Sequence, residues 1–104
     1  MKRTNEQKTK VSNVQHITIP AKVLCDEKLT AREKLMFGLL LSLKNEEGYC
    51  IACNEWLGEL LGVNLQTASN ALNNLHKQKH VTLKYEKTPE SGITRVIFIN
   101  PEYL

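Results

Sequence analysis

Two glycines four residues apart, Gly58 and Gly62, stand at the join of two stretches with helical periodicity. A small residue at Gly58 lets one helix approach the next closely, and Gly62 permits a backbone angle that other residues resist. Val63 follows as an apolar plug for the corner. Ala68, Ala71, Leu72 and Leu75 then recur at helical spacing and supply a buried side for the second member of the pair. Few arrangements accommodate two short helices joined this tightly. Directly afterwards come two alternating segments, Val81–Lys87 and Ile93–Asn100, separated by a linker containing Pro89 and Gly92. That spacing predicts a β-hairpin.

The remaining elements follow from local chemistry. Thr30-Ala31-Arg32-Glu33 is a capping box, in which the Thr30 hydroxyl and the Glu33 carboxylate satisfy each other's backbone N–H groups. Leu35, Met36, Leu39, Leu40 and Leu43 follow with helical periodicity, so a first helix is expected over 31–44 with that stripe buried. Gly48 ends the connector, and Tyr49–Ala52 reads as a short strand. The second helix is expected over 54–61. Asn64 is a good N-cap for a third helix over 65–79. Upstream, Val14–Pro20 alternates briefly and reads as an N-terminal strand, followed by a connector with a helical turn. The expected fold is α+β: a winged helix-turn-helix with a three-helix core, a C-terminal β-hairpin wing and a short N-terminal strand. Residues 1–13 read as a flexible basic arm and residues 14–104 as one domain.

Charge is unevenly spread along the 104 residues, which carry a net charge of +3. The arm holds Lys2, Arg3, Lys8 and Lys10 against Glu6, and the middle of the chain is mildly acidic. Residues 77–95 hold Lys77, Lys79, Lys84, Lys87 and Arg95 against Glu86 and Glu90. Two basic regions flanking an acidic body favour a polyanion held at two places. No apolar run approaches the roughly 18 residues that cross a membrane. The N-terminus lacks the apolar core of a signal peptide. A cytoplasmic protein is expected, with no membrane partner.

The third helix carries an unusual polar set. Residues 62–75 contain four asparagines, a glutamine, a threonine and a serine. Asn, Ser and Thr compete with the helix for backbone groups, so their accumulation calls for a reason. At about 100° per residue, Gln66, Asn70, Asn73 and Lys77 fall opposite the Ala/Leu face. Thr67 and Asn74 flank them on one side, and Ser69 and His76 on the other. A solvated helix face usually carries charge. This one carries amides, which pair bidentately with adenine in the major groove. Gln66, Thr67, Ser69, Asn70, Asn73 and Asn74 are therefore the candidate base readers, with a preference for A·T pairs. Asn54, Asn64, Lys77, Lys84, Lys87, Thr94 and Arg95 are candidate phosphate and wing contacts, joined by the arm.

Catalytic and metal chemistry find less support. Cys50-Ile51-Ala52-Cys53 is a C-x-x-C, and Cys25 or His16 would be needed to complete a zinc set. No second ligand pair accompanies it. An odd count of three cysteines without a secretion signal does not suggest a disulfide framework. No phosphate loop, nucleophilic triad or paired buried carboxylates stand out. The expectation is a non-enzyme without metal, cofactor or small-molecule substrate.

The segment LMFGLLLSLKNEEGYCIACNEWLGELLGVNLQTASNALNNLHKQKHVTLKYEK, together with ITIPAKVL before the first helix, resembles the winged-helix N-terminal domain of phage and plasmid replication initiators and replisome organisers, including DnaD-type and RepA-type proteins. The resemblance rests on GLLLSL…N…GYC, the N-E-x-L start of the second helix and the L-L-G-V turn. It implies origin or operator DNA binding, often as a homodimer and alongside other replication proteins. Two departures stand out: Cys53 where such domains commonly have serine, and Leu65-Gln66-Thr67 where they commonly carry Lys or Arg. The sequence leaves open a transcriptional regulator of the same fold, and an interaction or self-assembly module that does not touch DNA.

Overall fold

A computed structural model of the protein describes residues 14–90 and 92–104, so the expected arm lies outside the described residues. The chain forms α1 (Ala21–Leu24), α2 (Ala31–Leu43), β1 (Tyr49–Cys50), α3 (Asn54–Leu61), α4 (Leu65–Lys77), β2 (Val81–Thr88) and β3 (Gly92–Ile99), then a 3₁₀ turn at Pro101–Tyr103. Helices α2, α3 and α4 are the three helices expected. This is the winged helix-turn-helix architecture, with β2 and β3 as the wing.

The capping box forms as the sequence requires. The Glu33 N–H donates to the Thr30 hydroxyl at 3.2 Å and the Thr30 N–H donates to the Glu33 carboxylate at 2.8 Å. The buried stripe of α2 differs from expectation. Met36, Phe37, Leu39 and Leu40 are buried, whereas Leu35 is 44% exposed and Leu43 is only half-buried. The run Phe-Gly-Leu-Leu-Leu is apolar around the whole helix, so spacing alone does not single out a buried face.

Val14–Pro20 does not become a strand. The segment pairs with no sheet, and Ile17 and Ile19 instead pack on α2 at Gly38. A Cβ at Gly38 would sit 2.9 Å from Ile17 Cδ1. The alternation read as β-pairing thus reflects an extended segment laid against a helix.

The sheet is antiparallel in the order β1-β3-β2. Val81 faces Ile99 and Leu83 faces Ile97, which closes one side of the core, while Tyr85 faces Arg95 and Lys87 faces Ile93 farther out. The core joins Met36, Phe37 and Leu40 of α2 to Leu57 of α3 and to Leu72 and Leu75 of α4.

The glycine turn holds α3 against α4. Gly62 is the αL residue that ends α3 (φ 71°). A Cβ at Gly58 would lie 2.8 Å from the Val63 carbonyl oxygen and 3.6 Å from Ala68 Cβ. The Val63 N–H donates to the Gly58 carbonyl at 2.8 Å, so the turn folds back on its own glycine.

A polar tie closes the far end. His80, 5% exposed, donates from Nε2 to Asp26 Oδ2 at 2.7 Å, and its Nδ1 lies 2.7 Å from the Tyr103 hydroxyl. Phe37 packs edge-on against both His80 and Tyr103. The His80 hydrogen bond, helped by the Lys28 N–H, lowers the Asp26 carboxyl below its ordinary 3.8. Burial chiefly, with Glu102 adding to it, pushes the Tyr103 phenol up to about 12.

Gly58→Ala should destabilise the domain by about 1–3 kcal/mol in urea titration, because the obstructing atom is backbone and cannot rotate away. A depressed folded-state carboxyl contributes stability that is complete above its unfolded value and lost as pH falls through the folded one. The melting temperature should therefore drop as pH falls below about 4. Asp26→Asn should melt lower than the parent at pH 6 and show a shallower decline in acid, measured by thermal melts across that range.

Candidate nucleic-acid interface

Helix α4 starts at Asn64, whose Oδ1 accepts from the Thr67 N–H at 2.7 Å. Ala68, Ala71, Leu72 and Leu75 are buried as the wheel predicts, leaving the opposite face open. Gln66, Asn70, Asn73 and Lys77 are exposed on it. Gln66 Nε2 donates to Asn70 Oδ1 at 2.9 Å. That bond orients Asn70 and leaves its Nδ2 hydrogens as donors, with Gln66 Oε1 as an acceptor beside them.

The two flanks of this face differ. On one flank, Asn74 is committed within the fold: its Nδ2 donates to Glu33 Oε1 at 2.7 Å and to the Lys28 carbonyl at 3.1 Å. Asn74, expected as a base reader, is here a clamp between α4 and the start of α2. Its amide found a carboxylate on a helix that a wheel of α4 alone does not include. Thr67, on the same flank, is half-buried. On the other flank, His76 Nδ1 accepts from the Leu83 N–H at 3.2 Å, fastening the end of α4 to β2. Ser69 lies on this wing side and is half-buried.

The wing is tied to the helices as well. Arg95 does not extend into solvent. Its Nη1 donates to Asn54 Oδ1 at 2.7 Å and its Nη2 to the Ala52 carbonyl at 2.6 Å. Arg95 and Asn54, both expected at phosphates, instead clasp the wing to the start of α3. That helix is capped by Cys53, whose Sγ accepts from the Trp56 N–H at 3.4 Å. Asn64 likewise spends its side-chain oxygen on a cap. Thr94 is half-buried opposite Glu86. Lys87 is exposed, and the Lys84 ammonium lies 5.4 Å from the centre of the Phe98 ring.

Sequence reasoning passed over Tyr85 and Ile93, which are 66% and 69% exposed on the wing. Their face of the hairpin is the one that carries Val81, Leu83, Ile97 and Ile99. It does face the core's side of the sheet, but this end of the hairpin runs out past the helices. Among the described residues, no three His, Cys, Asp or Glu side chains converge as a metal site. No described helix is long and apolar enough to cross a membrane.

Residues 27–81 match a family model described as a helix-turn-helix domain. The chain belongs to that family. The match runs from the loop before α2 to the first residue of β2 and so contains the whole of the Gly58–Gly62 turn and α4. No curated protein matches this helix-turn-helix chain by sequence. Its fold is similar to solved structures at low identity. One, described as a Rep–DNA complex, is 18% identical with a TM-score of 0.57, covering 95% of this chain and 82% of the other. Another, described as the N-terminal domain of a DNA-binding protein, is 18% identical with a TM-score of 0.58 at the same coverage. A possible transcriptional regulator from Methanosarcina mazei Go1 is 14% identical with a TM-score of 0.55, covering 81% of this chain and 73% of its own.

Asn74→Ala should cost about 1–3 kcal/mol of stability in denaturant titration, since it removes two hydrogen bonds, one of them to the Glu33 carboxylate, while Asn73→Ala should leave the midpoint nearly unchanged.

Proposed function

We propose that this chain binds double-stranded DNA sequence-specifically, with α4 in the major groove. The observation that carries the reading is the open face of α4, where Gln66, Asn70 and Asn73 present amides without competing carboxylates. In this reading Asn70 and Asn73 read base edges, preferring adenine, and Gln66 holds Asn70 in position. Thr67 and Ser69 make side contacts at the edges of the groove. Lys77 and Lys87 meet phosphate, and the basic arm adds charge along the backbone. Arg95 and Asn54 act indirectly, by setting the angle of the wing.

Membership of a helix-turn-helix family supports DNA binding, as does likeness to folds described as a Rep–DNA complex and a DNA-binding N-terminal domain. With the resemblance of its segments to initiator domains, these favour a role in replication initiation on a plasmid, phage or other mobile element. On that role the chain works in the cytoplasm, pairs as a homodimer on a two-fold site and meets replication proteins there. It performs no catalysis and takes no cofactor. A second reading, a transcriptional regulator, is favoured by likeness to the possible regulator from Methanosarcina mazei. A footprint on origin rather than promoter DNA separates the two.

Selection from a random duplex pool should recover a motif rich in A·T pairs. Asn70→Ala and Asn73→Ala should each weaken binding to it by about 1–3 kcal/mol, roughly five- to 150-fold, with little change in affinity for random duplex. Equal losses on both duplexes would defeat the base-reading role.

A further inference from the structure

Beyond the last turn of α4 the surface opens into a groove of about 720 Å³ on the outer face of the sheet. Lys77, Lys79 and Lys84 line it with His76 and Phe98, and among its described lining residues Glu47 is the one acid. Lys84 is steadied by the Phe98 ring beneath it. The groove begins where the reading face of α4 ends, since Lys77 belongs to both.

Lys79 is the residue that makes this more than a scatter of surface charge. It is the one described non-glycine residue with a positive φ, at 67°. It occupies the position just past the helix end where glycine is usual, because a Cβ there crowds the backbone. The turn is held by the Lys79 N–H donating to the His76 carbonyl, the His80 N–H to the Leu75 carbonyl, and Asn100 Nδ2 to the Lys79 carbonyl. Glycine would satisfy the same bonds with less strain. Compensation of the helix dipole does not account for the lysine, because His76 and Lys77 already stand in the last turn. A strained position that keeps a cation, beside two further cations in one groove, is the pattern of a site maintained for what it binds.

We infer that the groove is a phosphate track: the backbone of a duplex engaged by α4 continues past its C-terminal end onto the outer face of the sheet, held by Lys77, Lys79 and Lys84. This rests on the DNA-binding reading and extends the contact from Lys77, at the end of the recognition helix, to Lys79 and Lys84 beyond it. The track reads no bases. It lengthens the footprint on one side and raises the salt sensitivity of binding.

The test uses the full chain, a duplex of about 30 base pairs carrying the selected motif, and the variants Lys79→Gly and Lys84→Gln. Each variant should lower the slope of log affinity against log salt by about one unit. Each should shorten the footprint on one flank and leave the selected motif unchanged. Lys79→Gly should also raise the urea midpoint, so weaker binding cannot be put down to misfolding. If both variants keep the parent's slope and footprint, the track is refuted while DNA binding stands. If the slope falls only together with loss of motif selectivity, the lysines serve base reading and the track is again refuted. If the parent chain binds no duplex, the DNA reading falls first and the track with it. An acidic protein that competes for the same lysines, with the duplex footprint stopping at α4, would overturn the assignment in favour of a protein partner.

Discussion

The approach of α3 to α4 at Gly58 is the constraint from which the rest of the structure follows. With no side chain there, the Val63 carbonyl comes close enough for the turn to close on itself, and Gly62 supplies the left-handed residue that reverses the chain. Once the two helices are set, the buried side of α4 is decided and so is the side left open. A bulkier residue at Gly58 would shift α4 as a body. Every amide on its outer face would then point elsewhere. The hydrophobic core stabilises this arrangement but does not by itself choose it, since Leu and Ala side chains tolerate several helix angles and a backbone clash does not.

Around that pair the fold is fastened by polar ties at its margins. Asn74 reaches the Glu33 carboxylate, Arg95 holds Asn54 and the Ala52 carbonyl, His76 receives the Leu83 N–H, and His80 bridges Asp26 and Tyr103. All but the short His76–Leu83 tie join segments more than 20 residues apart in sequence. Of these polar groups His80 is buried and most of the others are half-buried; such groups are costly unless satisfied, and when satisfied they favour one arrangement over its near alternatives. The chain thus divides its polar residues into those that orient the scaffold and those left facing outward, and on α4 the outward set Gln66, Asn70, Asn73 and Lys77 shares one face.

The division explains what was legible in the residues beforehand. Helix boundaries, the capping box, the hairpin and the open face of α4 depend on neighbours a few positions away, and these were readable. The roles of Asn74 and Arg95 depend on partners 41 residues distant in each case, Glu33 and Asn54, and no local pattern reveals those. Val14–Pro20 failed for a related reason: alternation reports that one side of an extended segment is covered, without saying whether a strand or a helix covers it. Leu35 failed because α2 is apolar in nearly every direction. Lys79 was visible as a lysine within a basic run, but its unusual backbone angle emerges only once the helix end is placed.

The clasp at Arg95 has a bearing on how the wing behaves. A hairpin fastened near its middle cannot swing as an arm from its base; only the few residues beyond the fastening remain free to adjust. Encounter with a partner is then a matter of fitting a preformed edge rather than of wrapping a loose one. Little order is left to be created on contact, and release does not require that order to be undone.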